Sequence, residues 1–203
     1  MKHNVDPTQY LTWRDLGEHY ADISWVWEKW LPRGFVTLLV ADPGTGKSLL
    51  ALTLCNIVAH GGVFWDNETQ YIAEPADCVA WVECESGEPF HLIRAKQIGL
   101  DLDSVLSLHT NNEQLVTPSL TNDADKREIQ KMLSLDSVQL MVVDSLSGAT
   151  SGIDENNAEA AKVVQWLSEQ ARDFNKPIVL IHHLNKGTMR TRGTEPPSLA
   201  DIR

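Results

Sequence analysis

The sequence predicts an α/β fold with a mainly parallel sheet flanked by helices. Short apolar runs of β type alternate with amphipathic helical stretches. A glycine-rich turn joins the first strong strand directly to a helix. The 203 residues, 42% of them hydrophobic, suffice for one sizeable domain and its core and are too few for two ordinary ones.

The elements follow in order. Residues 35–41 (FVTLLVA) form a buried strand, and a helix runs from the glycine-rich turn to about His60. Residues 61–76 make an excursion around Val63, Phe64 and Trp65. Cys78–Glu83 (CVAWVE) is a second strand, and residues 89–98 a helix. Residues 105–109 are a weaker strand, residues 124–135 a helix, and Val138–Asp144 a strong strand. Ala160, Val163, Val164, Leu167, Ala171 and Phe174 share one helix face, because they recur at three- and four-residue steps. Ile178–His183 is the last strand. Residues 1–30 read as an N-terminal extension. Its Trp13, Trp25, Trp27 and Trp30 are expected to pack that segment onto the domain or onto a neighbouring subunit rather than to stack bases.

Composition narrows the function. No apolar run approaches the length of a membrane span, and the first residues have no apolar core of the kind a secretory signal needs. Three cysteines without metal-type spacing (Cys55, Cys78 and Cys84) predict reduced thiols and a cytoplasmic location. The net charge of −11 weighs against a surface coated for nucleic acid. It leaves room for one basic loop, since charge acts locally within a screening length of about 8–10 Å.

Ala41-Asp42-Pro43-Gly44-Thr45-Gly46-Lys47-Ser48 carries the chemistry. It follows an apolar strand and opens a helix at Leu49, the context a phosphate-binding P-loop requires. Gly44 and Gly46 permit turns closed to other residues and bring backbone N–H groups against phosphate oxygens. The helix N-terminus adds partial positive charge. Residues Pro43, Gly44, Thr45, Gly46, Lys47, Ser48 and Leu49 are therefore the expected nucleotide contacts. Lys47 should reach the β- and γ-phosphates of ATP, and the Ser48 hydroxyl should ligate magnesium.

Three further strand ends supply candidates. Asp144 is an acid at the exit of a buried strand, costly unless it meets a cation, and is the expected second anchor for the metal. Glu83 and Glu85 follow in alternation at the end of another strand; either could polarise a water as general base, or both could be solvated loop acids. Ile178–His183 ends in paired histidines, which could sense the γ-phosphate or be structural. The loop of Lys186, Arg190 and Arg192 has three cations and no acid. It could touch a nucleic-acid backbone or lie solvated on the surface.

These segments resemble RecA-like ATPases of the hexameric helicase group, especially RepA-type plasmid helicases and, more distantly, DnaB-type replicative helicases. Leu31-Pro32-Arg33-Gly34 matches the lead-in to their P-loop, and Trp81-Val82-Glu83-Cys84-Glu85-Ser86 matches the strand carrying their catalytic glutamate. Asp144 matches their Walker B acid, and Ile181-His182-His183-Leu184-Asn185-Lys186 their sensor segment. The resemblance covers residues 31–203. It implies a RecA-like ATPase domain over those residues, with the family's last strands expected after them. It assigns the catalytic role to Glu85 rather than Glu83, with Lys47 and His183 as its catalytic partners, and implies a homo-oligomer, such as a hexamer, acting on single-stranded DNA. In DnaB-like members later strands carry an arginine that acts on ATP in the neighbouring subunit; that group is expected beyond Arg203 or from elsewhere. The competing readings are a nucleotide-gated switch of KaiC-like or RadA-like kind, and a small-molecule kinase, for which no lid or acceptor pocket is legible.

Overall fold

The computed structural model describes residues 12–19, 22–108, 117–150 and 158–183. In chain order the elements are α1 (Trp13–His19), β1 (Trp25–Trp27), β2 (Leu31–Pro32), β3 (Val36–Ala41), α2 (Lys47–His60), β4 (Gly62–Val63), β5 (Gln70–Tyr71), β6 (Cys78–Glu83), α3 (Glu88–Gln97), β7 (Val105–Ser107), α4 (Asp123–Leu133), β8 (Val138–Asp144), α5 (Leu146–Ala149), α6 (Ala158–Phe174) and β9 (Ile178–His183). A single 3-10 turn, Leu102–Ser104, leads into β7.

Five strands form one sheet in the order β3-β9-β8-β6-β7, and every pairing in it is parallel. Parallel neighbours need crossovers, and α2, α3, α4 and α6 provide them from both faces. Strand alternation then divides the core. Cys78, Ala80 and Val82 of β6, Met141 and Val143 of β8, and Ile178 and Leu180 of β9 pack with α4, α5 and α6. Val79 and Trp81, Leu140 and Val142, and Val179 and Ile181 pack with α2 on the other face. In β8 the alternation slips between Val138 and Leu140, where the pairing with β6 is irregular. At that point Gln139 accepts a hydrogen bond from Arg33 at 3.1 Å.

The apolar face read in the sequence as helical is α6: Ala160, Val163, Leu167 and Ala171 are buried. The excursion after α2 is the short antiparallel hairpin β4–β5. Trp27 joins it to the preceding segment. Its ring stacks on Phe64 at 4.9 Å and on Trp30 at 5.5 Å, and its Nε1 donates to Asp66 at 2.7 Å. Trp13 does not share in this packing and is exposed. The strand expected at 105–109 is shorter, ending at Ser107. Cys55, Cys78 and Cys84 are all buried. No helix among the described residues is long and apolar enough to cross a membrane.

Candidate functional site

Alternation aims the strand ends. In β8, Val142 faces α2, so Asp144, two residues on, faces it too; in β9 the same count takes Ile181 to His183, and in β6 Trp81 to Glu83. His182 falls on the opposite face. Register aligns these tips, with Ala41 opposite His183 and Glu83 opposite Asp144.

Between β3 and α2 the chain makes the glycine turn. Gly44 and Gly46 have φ of 79° and 94°, left-handed conformations that cost other residues strain. A Cβ at either would meet nothing within 4 Å, so dihedral preference and not crowding makes glycine the fitting residue. No side chain caps the start of α2. Its first amides and its dipole are thus available to an anion. Lys47 is 6% exposed, and its Nζ donates to the carbonyls of Ala41 and Asp42, both at 2.8 Å. Burial pushes its ammonium pKa down, while the charges of Asp144, Asp42 and Glu85 push it back up. The Ser48 hydroxyl neighbours the Asp144 carboxylate. An uncapped helix start, a buried ammonium among acids and a hydroxyl–carboxylate pair form a donor set that fits a triphosphate with a hard divalent cation.

Asp144 is 4% exposed. Burial raises its carboxyl pKa above the ordinary range, the neighbouring Ser48 hydroxyl lowers it, and the charge of Glu83 raises it again. A cation would relieve both costs.

The alternation of Glu83 and Glu85 does not carry past the strand. Ser86 has a φ of 58°, the chain turns there, and the two acids enter different surroundings. Glu83 is 5% exposed and faces α3. Its Oε1 accepts the amides of Glu85 and Gly87, at 2.9 and 3.1 Å. Its Oε2 accepts Trp81 Nε1 at 3.2 Å and lies 2.7 Å from His91 Nε2. Burial pushes its carboxyl pKa up, but the bonds from His91, from the amides and from Trp81 outweigh that and hold it below the ordinary value. Glu85 instead has 42% of its side chain exposed and accepts from the hydroxyls of Ser145 and Ser147, the latter at 3.2 Å. His183 Nε2 lies 3.7 Å from its Oε1. The structure therefore brings Lys47, Ser48, Asp144, Glu85 and His183 to one end of the sheet. The cations of the predicted basic loop, Lys186, Arg190 and Arg192, lie outside the described residues.

Four residues here escaped sequence reasoning: Ser145, Ser147, His91 and Gly148. Ser145 had a signal, as it directly follows the acid of β8. Gly148 had none, because its need is steric. A Cβ there would lie 2.2 Å from the carbonyl oxygen of Cys84, so α5 packs on the end of β6 only through glycine. Gly148→Ala is expected to force α5 away and to destabilise the fold by about 1–3 kcal/mol. For a domain of this size that lowers the thermal midpoint by roughly 2–4 °C per kcal/mol. An unchanged melting curve would show that the junction yields without cost.

A parallel sheet in this strand order, with a P-loop and three convergent strand tips, defines the RecA-like P-loop NTPase fold. The chain belongs to the AAA_25 family, whose model, described as an AAA domain, matches residues 4–189. It is also similar to proteins named DNA repair protein RadA. The one from Aquifex aeolicus is 25% identical over 156 residues, covering 77% of this chain and 30% of that protein. The one from Mycolicibacterium smegmatis is 27% identical over 157 residues, covering 77% of this chain and 29% of that protein. The chain thus spans less than a third of the length of these relatives.

Proposed function

We propose that this chain binds ATP with magnesium and hydrolyses it, and that single-stranded DNA drives the cycle in a homo-oligomeric ring, as in the helicase-like motors of plasmids and phages. The observation that carries the first part is the convergence of Lys47, the Ser48–Asp144 pair, Glu85 and His183 at one end of the sheet. Ser48 and Asp144 are the residues that would hold the metal. When bound, magnesium neutralises charge on the β- and γ-phosphate oxygens.

Glu85 orients the attacking water and draws off its proton as the water oxygen bonds to the γ-phosphorus. The bond from that phosphorus to the β–γ bridging oxygen breaks, and ADP departs with the electron pair. Lys47 stabilises charge growing on the phosphoryl oxygens. His183, opposite the end of the P-loop strand and beside Glu85, is placed to report whether a γ-phosphate is present. Glu83 is unsuited to the base role, because its oxygens are already taken by four donors.

The link to DNA rests on the resemblance to plasmid helicases, on the similarity to proteins named for DNA repair and on the basic loop of Lys186, Arg190 and Arg192. The RadA similarity equally supports a second reading, a nucleotide-gated switch with little turnover. ATP hydrolysis measured with and without single-stranded DNA separates the two. Stimulation supports the motor, and tight binding without turnover supports the switch. Replacing Arg190 and Arg192 together by alanine is expected to reduce the salt slope of single-strand binding by about 1–2. An unchanged slope removes the loop from the account.

A further inference from the structure

The proposed hydrolysis leaves His91 and Glu83 without a task, yet the structure builds around them with care. His91 lies in the first turn of α3, and its Nε2 points at two carboxylates, 2.7 Å from Glu83 Oε2 and 3.6 Å from Asp144 Oδ2. Its ring lies against Trp81 at 5.1 Å, and the Trp81 indole donates to the same Glu83 oxygen. Gly87 permits the approach, since a Cβ there would stand 2.9 Å from His91 Nε2. The other oxygen of Glu83 holds the amides of Glu85 and Gly87, so the carboxylate ties α3 to the turn that carries Glu85.

We propose that His91, clamped to Glu83, is a positioning residue for ATP hydrolysis: it fixes the turn that presents Glu85 and separates Glu83 from Asp144. This rests on the hydrolysis reading above. Glu83 and Asp144 sit side by side across the β6–β8 register. Without an N–H between them, two buried carboxylates would face each other, and like charges at that range repel. Either Glu83 would swing away and release the Glu85 amide, or Asp144 would turn from Ser48. Both movements reach the chemistry without His91 touching substrate.

The same three side chains have ligand-like spacing, with one donor atom from each lying within 4.8 Å of the others. Their surroundings favour the hydrogen-bonded clamp over a metal. His91 Nδ1 is buried without a partner, whereas a metal-bound imidazole usually donates its second N–H to an acceptor. The tautomer that fits carries its proton on Nε2 and leaves a lone pair on Nδ1.

Wild type, His91→Leu, His91→Gln and Gly87→Ala would be compared in steady-state hydrolysis, in affinity for a non-hydrolysable ATP analogue with magnesium, and in amide hydrogen exchange. His91→Leu should lower kcat by about 10–100-fold, with any loss of analogue affinity much smaller than the loss in kcat. It should also speed exchange of the Glu85 and Gly87 amides by at least about tenfold. His91→Gln, whose amide donates from nearly the same place, should restore both. Gly87→Ala, which pushes the imidazole aside without removing it, should reproduce the loss and serves if His91→Leu does not fold. The proposal is overturned if His91→Leu hydrolyses at the parent rate with unchanged exchange, or if its defect persists in His91→Gln. It is also overturned if nucleotide-free wild type binds manganese or zinc and His91→Leu does not. If wild type hydrolyses no ATP, the hydrolysis reading fails, and the exchange measurements still decide whether His91 holds the turn.

Discussion

Replacing Lys47 by alanine is expected to abolish ATP turnover and to weaken nucleotide binding to the limit of detection. The ammonium sits at the base of the glycine turn with carbonyls of Ala41 and Asp42 as its present acceptors. Phosphate oxygens would compete for the same protons with the advantage of charge. Removing one preorganised donor of this kind costs on the order of 10²–10³ in kcat, and Lys47 also supplies binding. The fold itself should survive. Burial already disfavours the charged amine, and alanine is the best helix former at a first-turn position. The checks are equilibrium binding of a fluorescent ATP analogue and phosphate release, beside a melting curve. Parent-level turnover would remove Lys47 from the mechanism, whereas a collapsed melting curve would leave the binding result without force.

Glu85→Gln should separate binding from chemistry. The side chain is nearly isosteric, and its carbonyl oxygen can still accept from Ser145 and Ser147. The P-loop is untouched, so analogue affinity should stay within a few fold of the parent. Turnover should fall by about 10²–10⁴, the contribution of a positioned base, because an amide cannot accept the proton of the attacking water. Single-turnover hydrolysis beside binding reads both quantities. A Glu85→Gln protein that hydrolyses at the parent rate refutes the base assignment.

The P-loop is legible in the sequence for a physical reason. A P-loop is a local device: its glycines, lysine and hydroxyl act within eight residues of one another, between a strand and a helix that each announce themselves by apolar periodicity. Asp144 was legible for a related reason, as an acid closing an apolar strand has few inexpensive uses. Composition and spacing alone did not distinguish Glu83 from Glu85 or His182 from His183. The structure separates them by face and burial. Alternation turns His183 toward α2 and His182 away, and four donors engage Glu83 while Glu85 stays half exposed. His91, Ser147 and Gly148 were illegible because their roles arise between elements. The angle of α3 against the end of β6 brings His91 to Glu83, and the seating of α5 on Cys84 demands a glycine. No pattern along one segment encodes either contact. Trp27 lies between these cases. Its packing role was expected from its residue type, but its partner, Phe64 in the β4–β5 hairpin, emerges only in three dimensions.

The most direct test is a crystal structure of the protein with magnesium and a non-hydrolysable ATP analogue. The phosphates should lie along the amides of residues 43–48, with the metal beside Ser48 and Asp144. A water in line with the γ-phosphate should sit within hydrogen-bond reach of the Glu85 carboxylate. Phosphates bound away from that turn, or a Glu85 carboxylate facing away from the γ-phosphate, would contradict it.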